Sequence, residues 1–419
     1  MNKAGKFLCL ALGLGMSVSM LAACGEAGNN NAGGKGETVT LMVWVSKEDQ
    51  AFAREVSEDF KAAHPEKKYV FLFGEQGEND AGTKVLNDPT NAPDLFSFPS
   101  DQINKLINGG ALARVGGSRL ERMKEVNSED AVDSATVMIG GEERTYAFPY
   151  TDNTFFLYYN KDYLKESDVT SIDSILAKCS AEKKFGYPMN DGWYSSAFYF
   201  GKNLGYEVTF DASFAEKSIT TDFGNAVGEQ VTESMWQLVQ DSRVKADSDD
   251  SKLIAGMSDG SMIAGASGVW NRRALEAALG DKLGVAKLPT YTYHAADGST
   301  EQVQLVSFAG YKLMGVCDYS TVKTDALDFA EFYTNRENQV KHFEARGFRP
   351  TDLQAQQDAK VANDPVAKAI AAQLEHTKTQ KNVPTTIWDA LAGLGNAMIT
   401  GGEFNLKAQL EAMVNAIQK

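Results

Sequence analysis

The stretch Thr38-Val39-Thr40-Leu41-Met42-Val43-Trp44-Val45 decides how the rest of the chain is read. β-branched and bulky apolar residues fill it, which marks a strand. A helical pattern follows, in which Phe52, Val56 and Phe60 share one face at spacing four with charges between them. Pro65 stops that helix, and Lys68 to Phe73 reads as a second strand. Strand, helix, strand is a βαβ unit, so the expected sheet is parallel with right-handed crossovers.

Working outward toward the C-terminus, Ala92 to Phe98 reads as a strand, after which Asp101 and Gln102 open a helix carrying Ile103, Leu106 and Ile107. A hairpin begins at Val137 and returns through Arg144 to Phe148, where Pro149 is expected to end it; Phe155 to Tyr159 is a further strand. Helices are expected near 171–183, 195–205, 224–242 and 271–279, with strand character returning from Val303 to Val316. Further helices follow near 323–333, 337–345, 363–378, 386–400 and 405–418. No internal repeat of 20–50 residues is present. Two α/β regions that interleave in sequence describe the pattern, as expected for a body of close to 400 residues, too long for one small core.

Toward the N-terminus the chain carries an address. Lys3 and Lys6 precede an uncharged apolar run, Phe7 to Met20, of fourteen residues. A bilayer span takes roughly 20 apolar residues, so this run suits the core of a signal peptide. Leu21-Ala22-Ala23-Cys24 follows and resembles a bacterial lipobox, which implies a signal peptide over 1–23 and a lipid on the Cys24 thiol. The competing reading is an ordinary signal peptide with an incidental cysteine. Residues 24–36, rich in Gly and Asn, have almost nothing to bury and read as a flexible tether.

The full chain carries a formal charge of −15, and loss of residues 1–23 would leave 39 basic against 56 acidic side chains, a net −17. Such an acidic body argues against nucleic acid or an anionic membrane surface as partner. No later segment is apolar enough to span a membrane. Beyond the anchoring Cys24, only Cys179 and Cys317 would remain after processing, and both are expected free and buried.

Several landmarks occur in one order: Trp44 at a strand end before a polar loop; Pro93-Asp94-Leu95-Phe96, then Asp101 and Gly109-Gly110-Ala111-Leu112; Tyr146-Ala147-Phe148-Pro149 leading to Tyr158-Tyr159-Asn160-Lys161; Gly268-Val269-Trp270, then Leu288-Pro289; and Pro384, Trp388 and Gly401. The ordered set resembles the maltose-binding-protein-like, carbohydrate-type extracellular solute-binding family over nearly all of 38–419. The resemblance implies an α/β, two-lobed periplasmic-binding-protein-like fold of type II, with a ligand held between lobes joined by a multi-strand hinge. Crossings would fall near 151–154, 307–310 and 347–350. Lobe one would be 37–151 plus 308–347 and lobe two 153–306 plus 350–419, which separates Cys179 from Cys317.

A sugar presents apolar faces for aromatic rings and hydroxyls for carboxylates and amides. By the resemblance, Trp270 and Trp388 match stacking tryptophans of lobe two, Tyr194 beside Trp193 matches a third aromatic position, and Phe98 stands for a Trp in the opposing lobe. Core packing is the competing role for any one of these rings. Asp101 matches a sugar-binding aspartate, a helix N-cap being its other role. Asn153, with Asp152 adjacent, falls where the family often has a glutamate, and Glu48 and Asp49 lie in the loop after the first strand. Gln102, Asn153 and Gly192 depart from charged positions of the well-known maltose binders, which leaves the exact sugar open; the aromatic pattern points to an α-glucan oligosaccharide.

The expected function is capture of a carbohydrate for an ABC importer by a monomeric lipoprotein on the outer face of the cytoplasmic membrane, without cofactor, metal or catalysis. Three alternatives remain: a different solute on the same fold (a metal-bound chelate, a polyamine or a peptide), a surface glycosidase, or a structural surface adhesin with no transported ligand. Against an enzyme, Gly265-Ala266-Ser267-Gly268 lacks the spacing of a nucleophile elbow, and His64, His294, His342 and His376 are scattered. Gly393-Leu394-Gly395 lies inside a predicted helix and is no nucleotide loop. A Cys24→Ser chain is expected to be shed into the medium with its ligand binding intact, measured by fractionating cells and culture supernatant.

Overall fold

A computed structural model describes residues 38–211, 214–384, 386–400 and 404–418. The lipobox, the tether and Gly401 lie outside the described residues. Thr38 to Lys419 form one compact unit.

The first strand and helix fold as their pattern requires. Thr38–Val45 buries alternate residues, Val39, Leu41, Val43 and Val45. Gln50–Ala63 turns Phe52, Val56 and Phe60 onto that face. The helix stops at His64, before Pro65, and Lys68–Glu75 returns parallel to the first strand. Leu95–Pro99 joins the other side, also parallel and buried at every residue.

Beyond those three strands the sheet ceases to be parallel. Ser307–Val316 pairs antiparallel with Leu95–Pro99 and also with Ala147–Asn153, and its first residues pair parallel with Thr377–Thr379. Pro149 therefore does not end the hairpin strand; it sits within Ala147–Asn153. Among the described strands that one pairs with Ser307–Val316, and the register shifts between Lys312 and Leu313, opposite Thr151 and Pro149. A residue without an N–H is tolerated at such an edge irregularity. Its carbonyl accepts from the Thr351 hydroxyl at 3.2 Å.

A second sheet runs in the order Val244–Lys245, Lys184–Gly186, Met262–Gly268, Phe155–Asn160, Leu283–Ala286, with mixed parallel and antiparallel pairs. Each sheet has its own apolar clusters: Phe60, Phe329 and Tyr333 among those on the first, Tyr187, Phe198 and Leu391 on the second. One hairpin bridges them. Tyr206–Phe210 and Glu216–Thr221 follow the helix Gly192–Gly201, yet Phe214 is buried in the cluster of Phe96 and Phe98.

Three connections between the sheets lie side by side. Thr154 and Ser307 share a buried hydroxyl contact of 2.8 Å. The Asp152 amide donates to the Arg349 carbonyl at 2.9 Å, and Thr151 bridges Pro350.

Helices fall where expected at Arg272–Leu279 and Lys323–Tyr333. The helix expected over 171–183 is only Ile172–Leu176, because the chain turns at Ser180 to supply Lys184–Gly186 to the second sheet. Cys179 and Cys317 are free, the second buried and the first partly so. No helix among the described residues is long and apolar enough to cross a membrane.

Gly393 and Gly395 occupy the helix Ile387–Ile399 in opposite situations. A Cβ at Gly393 would meet nothing within 4 Å, whereas one at Gly395 would stand 1.9 Å from the Met189 carbonyl oxygen. Alanine is favoured over glycine in a helix interior by roughly 1 kcal/mol, and overpacking against backbone costs about 1–3 kcal/mol. Gly393→Ala is therefore expected to raise the melting temperature and Gly395→Ala to lower it, read by thermal denaturation of the two variants in parallel.

Candidate ligand-binding cleft

Loops at the edges of both sheets enclose a cavity of about 1040 Å³. On the first sheet, Leu95–Pro99 runs into a tight turn, Ser100–Gln102, which brings Asp101 and Gln102 to the cavity wall beside Glu48, Glu78 and Lys105. On the second, the Asp191 carboxylate caps the helix Gly192–Gly201 by accepting the Trp193 amide at 2.9 Å, so that Trp193 and Tyr194 stand at the helix start. The buried strand Met262–Gly268 ends in a turn that presents Trp270, and Trp388 projects from the first turn of Ile387–Ile399.

The rings are held by neighbours. The Trp193 and Trp270 centroids lie 5.8 Å apart at 46°, and Trp193 packs on Phe155 at 4.7 Å. The Trp270 indole donates to Asp250 at 2.8 Å, and the Trp193 indole to Gln380 at 3.0 Å. Phe308 meets Trp388 edge-on at 5.3 Å. Gly192 has a packing reason rather than a missing charge: a Cβ there would come within 2.5 Å of the Trp388 carbonyl oxygen.

Trp193, Tyr194, Trp270, Trp388, Asp101, Glu48 and Asn153 thus line one cavity. Phe98 does not. Its strand is central, with partners on both edges and cover on both faces, so the ring is fully buried against Phe96 at 5.3 Å. Asp152 is also displaced from the expected role: it is buried at the crossing and ion-paired with Arg349. Asp49, expected in a ligand-facing loop, is buried because that loop turns at once into the helix from Gln50. Its carboxylate meets His342 at 3.1 Å and Arg346 at 2.9 Å. Burial alone would raise the Asp49 carboxyl, but His342, Lys312 and Arg346 outweigh it and hold it well below the usual range.

Sequence reasoning missed Glu78, Asp191, Asp250, Lys312, Arg346 and Gln380, all on the cavity wall. Glu78 and Lys312 form an ion pair, which Tyr150 joins by donating to Glu78 at 3.3 Å. Asp191, just ahead of the Gly-Trp-Tyr run, could have been found from its capping position. The others depend on chain crossings that no local pattern announces.

Residues 55–369 match the family described as bacterial extracellular solute-binding protein. The chain belongs to that family. As a solute-binding protein it is 23% identical to the galactooligosaccharide-binding protein of Bacillus subtilis (strain 168), across 94% of this chain and 91% of that one. It is 22% identical to a maltooligosaccharide ABC transporter solute-binding lipoprotein of Streptococcus pneumoniae TIGR4, across 92% and 90%. Among solved structures, one determined with acarbose superposes at a TM-score of 0.81 with 30% identity, covering 91% of this chain and 99% of its own. The maltodextrin-binding protein of L. casei BL23, solved without ligand, gives 0.76 at 23% identity, covering 91% and 99%. The fold is the two-lobed, type II α/β architecture of such solute-binding proteins.

Burial lifts the Asp101 carboxyl from an ordinary 3.8 to about 6, against the opposing pull of its backbone hydrogen bond, Lys105 and Gln380. The folded value lies above the unfolded one, so the native state is favoured as pH falls from about 6 toward 3.8 and disfavoured above about 6. Asp101→Asn is accordingly expected to raise the melting temperature at pH 7 and to flatten its rise on mild acidification, followed by thermal melts across pH.

Proposed function

We propose that this solute-binding protein captures an oligosaccharide, of which a maltooligosaccharide is the first choice, between its two lobes and delivers it to the permease of an ABC importer. The observation that carries the reading is the gathering of Trp193, Tyr194, Trp270 and Trp388 on one side of a cavity of about 1040 Å³, with Asp101 and Glu48 contributed from the other sheet. Aromatic faces cover the apolar sides of sugar rings, and fixed carboxylates and amides take the hydroxyls.

We take lobe one as 37–151 plus 308–347 and lobe two as 153–306 plus 350–419. A ligand touching both favours the closed form by no more than its differential affinity for that form. Cys24 carries the lipid that keeps the monomer at the outer face of the cytoplasmic membrane, within reach of the permease. The protein binds and releases its solute unchanged.

Maltotetraose and a panel of other mono- and oligosaccharides should be tested by thermal shift, since a ligand that binds only the folded form raises its stability. A rise with an oligosaccharide supports the proposal, and a rise only with a cation or a peptide replaces it. By analogy with stacking in other aromatic sites, Trp270→Ala and Trp388→Ala are each expected to weaken maltotetraose binding by about 1–3 kcal/mol in calorimetry. Unchanged affinity in both would show that the sugar sits elsewhere.

A further inference from the structure

The helix Asp250–Asp259 packs closely on the buried strand Met262–Gly268: a Cβ at Gly265 would stand 2.5 Å from Leu253 Cδ1. The Asp249 side chain caps that helix by accepting the Lys252 amide at 2.7 Å, which makes Asp250 its first residue and brings it to the cavity wall. There it meets the end of the strand. The Ser267 hydroxyl donates to Asp250 Oδ1 at 3.0 Å, and the Trp270 indole donates to Asp250 Oδ2 at 2.8 Å. Behind Ser267, Asn271 Nδ2 donates to its Oγ at 2.9 Å. The direction of each bond is forced: an ionised carboxylate only accepts, an indole N–H only donates, and a hydroxyl does both. Ser267 and Asn271 are buried, so the anchor of the carboxylate lies away from solvent.

The opposite edge of the indole is fixed as well. A Cβ at Gly268 would stand 2.0 Å from Trp270 Cζ3 and 2.1 Å from its Cη2, so the six-membered ring lies against the glycine backbone. The Gly268 carbonyl in turn accepts from the Tyr158 hydroxyl at 3.0 Å. Trp270 is thus held at its nitrogen by Asp250 and at its far edge by Gly268. Contact with a glycine alone would leave the ring free to swing about its side-chain torsions; the bond to the carboxylate removes that freedom. Among the described residues Asp250 has no ion pair, Lys252 being paired with Asp247 and Asp249. Its effect on the ring is therefore directional hydrogen bonding rather than charge balance.

We propose that Asp250 is a positioning residue of the cleft, whose carboxylate, anchored by Ser267, sets the plane of the Trp270 ring before a sugar arrives. This rests on the carbohydrate reading of the cleft. A ring already set needs no ordering when the ligand stacks on it, whereas a free ring must be ordered at the expense of affinity.

Two measurements on the purified protein test it. In the first, no ligand is present. Exchange of the Trp270 indole proton with water is followed by NMR, the resonance being assigned by its loss in Trp270→Phe. Asp250→Ala is expected to speed the exchange roughly 10-fold, the scale of one net hydrogen bond. In Asp250→Asn the amide oxygen must face the indole and the amide nitrogen must face Ser267 Oγ, so the polarity survives and most of the protection is expected to return. Equal exchange in wild type and Asp250→Ala overturns the proposal, and so does an Asp250→Asn variant no better protected than Asp250→Ala. Should Asp250→Ala fail to fold, Ser267→Ala serves: without its anchor the carboxylate no longer holds the ring, and exchange at the wild-type rate overturns the proposal.

In the second, maltotetraose affinity is measured by calorimetry. Asp250→Ala is expected to weaken it roughly 3- to 10-fold, the scale of ordering one side chain on binding, and Asp250→Asn to weaken it less. In a Trp270→Ala background, Asp250→Ala is expected to cost nothing further, because the residue acts through the ring. A loss that persists in that background makes Asp250 a direct contact and overturns the positioning role. Absence of binding to wild type would instead defeat the maltooligosaccharide reading, with the indole exchange still deciding the role of Asp250.

Discussion

The pairing of Ser307–Val316 is the constraint on which the molecule depends. Its later residues lie between Leu95–Pro99 and Ala147–Asn153, and its first three pair with Thr377–Thr379. One partner leads to the turn bearing Asp101, another leads across to the second sheet, and the third leads to Gln380 and then Trp388. A slip of one residue would turn every side chain of the strand to the opposite face. It would also move the three elements that set the cavity wall relative to one another. Leu313, Met314 and Val316, all buried, make such a slip expensive. The cleft is accurate because its parts share one ladder.

Buried charge reinforces the same region. Asp152–Arg349 lies at a crossing, Asp49 holds His342 and Arg346, and Glu78 holds Lys312. Desolvation offsets much of the attraction in pairs of this kind, so they are weak grounds for overall stability. Removing one partner is another matter, since the survivor is left uncompensated. Their effect is to fix where the helix Arg336–Arg346 and the third crossing sit against the first sheet.

What could be read in the sequence was local and periodic. Phe52, Val56 and Phe60 announced their helix, and Trp270 and Trp388 reached the cavity because residues at a strand end and a helix start project from the framework. Phe98 failed for a nonlocal reason: the sequence showed an aromatic near a turn, but central placement in the sheet requires neighbours that arrive hundreds of residues later. Asp152 and Asp49 failed likewise, since an acid in a loop reads as solvated until Arg349 or His342 is brought against it. Pro149 misled because edge strands admit a proline and central ones do not, and edge status is a property of topology. Gln380 carried no signal at all, being one amide in a polar stretch that only the fold sets between the Ala309 carbonyl and the Trp193 indole.

Cys179 and Cys317 are free, and burial pushes both thiols up to about 11. Neither is a thiolate near neutrality, and the thiolate is the form that reacts with oxidants and disulfides. The folded body therefore has no covalent staple to form while it matures, and its two thiols offer little for adventitious oxidation to attack. Its final shape is reached by strand pairing, burial and ion pairs, with no disulfide between these two residues for the redox poise of its surroundings to set.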